Sequence, residues 1–222
     1  YDMYHRLGLG QVSGSGFPGE SSGVLRPPNV WGPAEKATIS YGYGLSVTPL
    51  QLARAYAAIG NGGRLNEATF VKGANKESQQ VVDPAIAAQL MRMMETVTGP
   101  EGTARRAAVL GYRVAGKTGT SRKASGGGYA ANRYASVFVG LVPASNPRFA
   151  MAVVIHDPQG VEYGGGAVSA PIFHNVMDGA LRLMDVPPDH IEQWFVEQEK
   201  KAAPATAAAS APVAADGAGV LR

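Results

Sequence analysis

The residues with chemical potential gather in one stretch. Gly111-Tyr112-Arg113-Val114-Ala115-Gly116-Lys117-Thr118 fits the G-x-x-x-x-G-K-[ST] spacing of a loop that cradles phosphate with backbone N–H groups and a lysine. Val153-Val154-Ile155-His156-Asp157 has the form of an apolar strand ending in a magnesium-binding Asp. A phosphate loop needs a helix directly after it, because the helix N-terminus helps hold the anion. Here Tyr112 to Ala115, inside the supposed loop, is β-like. Gly119-Thr120-Ser121-Arg122-Lys123 and the three glycines beyond carry no helical stripe. A P-loop-type nucleotide-binding enzyme using Gly111–Thr118 is therefore kept only as an alternative. Gly14-Ser15-Gly16-Phe17-Pro18-Gly19 fits G-x-G-x-x-G, but no apolar strand precedes it and Pro18 stands where a helix would begin. It reads as a surface turn.

The same lysine opens a second pattern, Lys117-Thr118-Gly119-Thr120. This is the K-T-G element of serine acyltransferases such as penicillin-binding proteins and class A β-lactamases. The chemistry is acyl transfer through a serine ester. It needs a strand edge that pairs with an extended peptide. It needs a small residue where the substrate comes close, which Gly119 supplies. It needs a cation and hydroxyls for a terminal carboxylate, which Lys117, Thr118 and Thr120 supply. Four residues alone fit an exposed lysine on a glycine-weakened edge equally well.

The elements that must position this stretch announce themselves by their ends. Thr48-Pro49-Leu50-Gln51 is a capping box with Pro at the first helical position. Leu52, Ala53, Tyr56 and Ala57 give that helix an apolar stripe, and Gly60-Asn61-Gly62-Gly63 ends it. Asp83-Pro84 starts a second helix with the stripe Ile86, Leu90, Met93, Met94 and Val97, stopped by Gly99-Pro100. Ser169-Ala170-Pro171 opens a third, in which Phe173, Val176, Met177, Ala180, Leu181 and Met184 are expected to face inward. Strands are expected at residues 111–121, 133–142 and 149–155, the last apolar throughout and so expected to be buried on both faces. Residues 122–132, with Gly126-Gly127-Gly128, are expected to form a long mobile hairpin loop. Pro143-Ala144-Ser145-Asn146-Pro147 reads as a short turn closing an antiparallel pair.

Further segments carry a resemblance. Tyr41-Gly42-Tyr43-Gly44, Val47-Thr48-Pro49-Leu50-Gln51-Leu52-Ala53, Arg54-Ala55-Tyr56-Ala57, Asn61-Gly62-Gly63 and Tyr163-Gly164-Gly165-Gly166-Ala167-Val168-Ser169-Ala170-Pro171 resemble class B penicillin-binding proteins of the division-septum type. The likeness runs in order over roughly residues 1–190. It implies an α/β (α+β) transpeptidase fold, an antiparallel sheet flanked by helices as in penicillin-binding proteins and serine β-lactamases. It implies a D,D-transpeptidase that acts on peptidoglycan stem peptides, is acylated by β-lactams and needs no cofactor or metal. Lys117 resembles the lysine that shapes the field at the nucleophile, and the Thr120 backbone N–H resembles an oxyanion-hole donor. Thr118, Gly119 and Thr120 resemble the substrate-binding edge. Tyr129, Tyr134 and Tyr163 resemble an aromatic wall beside the cleft. The family also uses S-x-x-K and S-x-N. No lysine here has a serine three positions before it, and no asparagine has one two positions before it. The sequence therefore reads as a fragment incomplete at its N-terminal side, with both elements upstream. The resemblance further implies division-machinery partners, the periplasmic face of a bacterial inner membrane, and a membrane anchor outside this chain.

Composition bounds these readings. The 222 residues include no cysteine, which excludes a disulfide scaffold and thiolate-ligated metal. His5, His156, His174 and His190 lack ligand spacing, Asp157 and Glu162 near a turn read as solvated or capping it, and Glu20 reads as a loop residue. A net charge of +3, from 20 basic and 17 acidic residues, argues against a nucleic-acid binder. No run of 18 apolar residues is present. Tyr1 to Gly10 lacks the apolar core of a signal peptide. The expected organisation is a domain portion over residues 1–201 and a disordered Ala/Pro-rich tail over 202–222.

Overall fold

The structure is a computed structural model that describes residues 1–74, 77–125, 128–193 and 195–196. In chain order it contains α1 (Asp2–Arg6), β1 (Val24–Leu25), α2 (Pro33–Thr38), β2 (Leu45–Ser46), α3 (Pro49–Gly60), β3 (Arg64–Asn66), β4 (Ser78–Gln80), α4 (Pro84–Glu95), β5 (Ala115–Ser125), β6 (Gly128–Val142), β7 (Phe149–His156) and α5 (Gly165–Leu183). Three antiparallel sheets result: β1–β2, β3–β4, and the central β5–β6–β7. The tail expected at residues 202–222 lies outside the described residues.

The central sheet is sandwiched. Along β6, side chains alternate between faces. Phe138 and Gly140 face α5, whose Phe173 meets Phe138 edge to face with ring centroids 5.0 Å apart. Phe138, Phe173, Leu181, Met177, Val153 and Val97 belong to one buried cluster on that side. On the opposite face Leu141 and Ala115 meet Met91 of α4, with Tyr56 and Ile59 of α3 packed against them. Burial raises the Tyr56 hydroxyl above its ordinary pKa. The buried hydroxyls of Ser136 and Ser169, 2.8 Å apart, join β6 to α5 inside an otherwise apolar interface.

Both halves of the capping box at α3 form: Thr48 Oγ1 accepts from the Gln51 N–H and Gln51 Oε1 accepts from the Thr48 N–H. Gln51 is also buried, and its Nε2 donates to the carbonyls of Gln11 and Ser22, tying the first segment of the chain to α3. Asp83 caps α4 by accepting from the N–H groups of Ala85 and Ile86.

Several expectations are corrected. β5 begins at Ala115 rather than 111, and β5 and β6 run on to Ser125 and from Gly128, so residues 122–125 and 128–132 are strand, with a register shift between Arg122 and Ala124, rather than a long loop. Gly126 and Gly127 lie outside the described residues. Of residues 149–155 only Val153 is buried and the rest are half-buried, because β7 is an edge strand among the described residues and is covered incompletely. α5 begins at Gly165, not at Ser169, and Pro171 lies inside it. The helix tolerates Pro171 because the Ala167 carbonyl, which an N–H at 171 would have bonded, accepts instead from Arg106 Nη1 at 3.2 Å. Val176 of α5 and Met184, its C-cap, point outward, as do Ile86 and Met93 of α4, whose buried positions are Ala87 and Met91. In α3 the fully buried positions are Gln51, Ala55 and Ala58, while Leu52, Ala53, Tyr56 and Ala57 are half-buried. Close helix contact favours small residues, so reading the stripe from large side chains shifted the face.

Candidate active site

Lys117, Thr118, Gly119 and Thr120 lie on β5, paired with Val139, Phe138, Val137 and Ser136 of β6. The Asp157 N–H donates to the Tyr134 carbonyl at 2.8 Å, and this fixes the phase of the sheet. In an antiparallel pair, hydrogen-bonded positions alternate with non-bonded ones. Even-numbered residues of β6 therefore aim their backbone groups at β7, and odd-numbered ones at β5. The odd residues Val137 and Val139 face Gly119 and Lys117. The N–H and C=O groups of Thr118 and Thr120 consequently point away from β6, to the outer edge of the sheet. Among the described residues that edge is unpaired, apart from Lys117 Nζ donating to the Thr118 carbonyl at 3.0 Å.

Side-chain parity divides the element. Lys117 shares the face of Ala115 and Leu141, on the α3–α4 side. Thr118 and Thr120 share the face of Phe138 and Ser136, on the α5 side. A Cβ at Gly119 would meet only Val137 Cβ at 3.5 Å, an ordinary contact. Packing within the chain does not demand glycine there, and its effect is to leave that strip of the strand bare.

The α5 side is tightly built. Thr118 Oγ1 lies 2.9 Å from Thr103 Oγ1, and Thr120 Oγ1 accepts from the Gly165 N–H at 3.2 Å. Gly165 is the first residue of α5, and the helix crosses the sheet so closely that a Cβ there would lie 2.2 Å from the Val137 carbonyl oxygen. At Gly166 a Cβ would lie 1.9 Å from the Thr103 carbonyl oxygen. These two glycines bring the helix start, with its partial positive charge, against the strand.

Tyr134 and Tyr163 stack with ring centroids 4.1 Å apart and planes at 15°. Tyr134 lies opposite Arg122, diagonally next to Thr120 on the same face, and Tyr163 immediately precedes the cap of α5. Tyr129 pairs with Ala124 through the backbone, and its side chain lies outside the described residues. Beyond the stack, Asp157 holds a left-handed backbone (φ 50°) and accepts from Arg133 Nη2 at 2.8 Å and Lys123 Nζ at 2.7 Å. The Arg133 hydrogen bond first, then that from Lys123, lowers its carboxyl to a pKa of about 2.

The alternative nucleotide reading fails on this geometry. Gly116, Lys117 and Thr118 are strand residues, and β5 continues through Ser125 where the reading requires a helix. Sequence reasoning missed Thr103, the Gly165 N–H and the Arg106 contact with Ala167. No spacing rule links Thr103 to Thr118, and the Gly-rich run before α5 resembles a loop. Sequence reasoning took Asp157 and Glu162 for solvated or turn-capping residues, and Glu20 for a loop residue, which it is. The sequence did not show their partners: Arg133 and Lys123 for Asp157, Arg106 for the solvent-exposed Glu162, and the Ser13 N–H and Ser15 hydroxyl for Glu20.

The sequence matches the penicillin binding protein transpeptidase domain over residues 1–178. The chain belongs to that family. It is 46% identical over 189 residues to the peptidoglycan D,D-transpeptidase FtsI of Escherichia coli (strain K12), covering 85% of this chain and 32% of that protein. It is 43% identical over 189 residues to the probable peptidoglycan D,D-transpeptidase PenA of Neisseria gonorrhoeae, with the same coverage. The apo structure of the transpeptidase domain of Burkholderia pseudomallei penicillin-binding protein 3 superposes with a TM-score of 0.77 at 43% identity, covering 85% of this chain and 58% of that one. The chain thus spans about a third of the length of these two curated relatives.

Proposed function

We propose that residues 1–201 form the C-terminal portion of a peptidoglycan D,D-transpeptidase domain, and that 202–222 form an appended tail. A serine outside this chain, in an S-x-x-K element, attacks the penultimate D-Ala carbonyl of a stem pentapeptide. An ester C–O bond forms, the amide C–N bond breaks, and the terminal D-Ala leaves carrying the serine's proton on its amine. An amine of a second stem peptide then attacks the ester, forms the cross-link amide and returns a proton to the serine. Atoms balance without a cofactor. A β-lactam enters by the same first step, its ring C–N bond opening as the serine ester forms.

The observation that carries this reading is the free edge of β5 in a chain of this family. The outward N–H of Thr120 suits an oxyanion donor, to be completed by the N–H of the serine itself. Lys117 places a cation on the opposite face, where it favours developing negative charge. Thr118, Gly119 and Thr120 hold the extended substrate, with its carboxylate on the two hydroxyls. Tyr134 and Tyr163, with Tyr129, wall the cleft. By the same resemblance the parent works at the periplasmic face of the inner membrane during septation, with division-machinery partners and an anchor outside this chain. Among the described residues no helix is long and apolar enough to cross a membrane.

Fluorescent penicillin tests the reading. A protein carrying this chain behind in-frame S-x-x-K and S-x-N elements is expected to label. Lys117→Ala is expected to slow that labelling by about 10²-fold, the scale of losing one preorganised electrostatic contact. Failure of such a protein to label would refute the proposal. The absence of both serine elements from the 222 residues favours a second reading for the isolated chain, a non-catalytic interaction fragment with the fold retained and the chemistry gone. Stoichiometric acylation of the bare 222 residues at one of their own serines would overturn it.

A further inference from the structure

The two hydroxyls of the K-T-G strand are each approached from behind by a different part of the chain. Thr120 Oγ1 accepts the Gly165 N–H at 3.2 Å. An N–H can only donate, so the Thr120 oxygen is committed as acceptor and its own hydrogen is released to point elsewhere. Thr118 Oγ1 is met by Thr103 Oγ1 at 2.9 Å, where either oxygen can donate. An anion beyond Thr118 removes that ambiguity. A carboxylate only accepts, so Thr118 must give it a hydrogen and Thr103 must donate to Thr118.

We infer that Thr103 is a positioning residue for carboxylate recognition. Its hydroxyl donates to Thr118 and thereby aims the Thr118 hydrogen at a substrate or β-lactam carboxylate, in parallel with the Gly165 N–H acting through Thr120. The inference rests on the transpeptidase reading above and deepens it. Thr118 and Thr120 lie two residues apart on one face, about 7 Å along the strand, which lets one carboxylate lie between both hydroxyls. Each relay strengthens the terminal hydrogen bond by polarising it.

Thr103 is built to hold this position. The Gly102 N–H donates to the Gly99 carbonyl and the Ala104 N–H to the Val97 carbonyl, both at 2.9 Å, so the backbone is pinned on either side. Ala104 is fully buried. The Thr103 carbonyl abuts Gly166 of α5. Arg106, three residues on, is bound to the Ala167 carbonyl of the same helix and to Glu162. The loop carrying Thr103 and the first turn of α5 carrying Gly165 are therefore one assembly, and both deliver a donor to β5. Thr103 touches no reacting atom in this scheme; it acts through Thr118.

The test compares Thr103→Val and Thr103→Ser in the complete transpeptidase, using two probes: a β-lactam with its free carboxylate and the methyl ester of the same compound. Acylation is resolved into an apparent dissociation constant and a first-order acylation rate. Thr103→Val is expected to raise the dissociation constant for the free acid by about three- to tenfold, the range of one net hydrogen bond. The ester, which has lost the charge, is expected to be affected less. Thr103→Ser keeps the hydroxyl and is expected to restore free-acid binding. Equal weakening of both probes, or no rescue by serine, would assign Thr103 a purely structural role and overturn the inference. Unchanged free-acid binding in Thr103→Val would overturn it as well. Wild-type protein that is not acylated at all would instead refute the transpeptidase reading, so the two failures are distinguishable.

Discussion

The part of the chain before α4 and the part after it are held together differently. After α4, long strands and α5 enclose a continuous apolar cluster from Val97 to Val186. Before α4, β1 and β2 have two residues each, and Phe17, Phe70, Val12 and Val71 stand exposed. Order there comes from a small apolar cluster of Ala58, Leu65, Val81 and Val82 joined to Ala87 of α4, and from polar ties across sequence: Gln51 to Gln11 and Ser22, the Tyr4 hydroxyl to the Ile39 carbonyl, Arg54 Nε to the Asn66 carbonyl, and Glu20 to Ser13 and Ser15. Burial is non-directional and tolerates small shifts. A hydrogen bond left half-made in a buried site costs the full desolvation of its partner. The first region thus leans on a small cluster plus individual polar atoms, and the second on the shape of a larger core.

The sharpest way to break the second region is Phe173→Ala. Phe173 is fully buried against Phe138 and Gly140, and the change is expected to cost about 3–5 kcal/mol, read as a lower urea midpoint. In the first region Gln51→Ala removes three hydrogen bonds and strands two carbonyls. An expected loss of about 2–3 kcal/mol should come with faster amide exchange confined to residues 10–25. Exchange that rises evenly through β6 and α5 would show that the two regions unfold as one. The smallest effect belongs to the tie at the cleft end of the sheet. The Asp157 carboxyl, normally near 3.8, is held at about 2. A lowered folded-state pKa gives stability that is present above about pH 4 and is lost as pH falls from there through 2. Asp157→Asn is expected to flatten the acid limb of the stability profile over that window, and a carboxyl titrating near 4 by NMR would contradict the ion-pair geometry.

How much was legible follows the same division. The caps of α3 and α4 were readable because Thr48–Gln51 and Asp83–Pro84 complete local hydrogen bonds within three residues. The Lys117-Thr118-Gly119-Thr120 strand was readable because its residue types are tied to one kind of chemistry. The ends of β5 and β6 were not, since pairing beyond Arg122 depends on a partner strand rather than on propensity. The start of α5 was missed because Gly164-Gly165-Gly166 looks like a loop. Gly165 and Gly166 are required by the carbonyls of Val137 and Thr103, far away in sequence. Thr103 itself was invisible for the same reason.

Pro171 has a consequence for which substitutions the molecule can absorb. By withholding one donor it leaves the Ala167 carbonyl to Arg106, so the seam between α5 and the Thr103 loop rests on a main-chain acceptor of the helix. Any residue with an N–H at 171 could close the helix rung and compete with the arginine, whatever its side chain. Drift on the outward face of α5, at Val176 or Met184, leaves the seam alone. Drift at 171 would be felt two elements away, at the hydroxyl of Thr118. A position that looks like a tolerated imperfection in a helix thus acts as an address label for a loop more than sixty residues upstream.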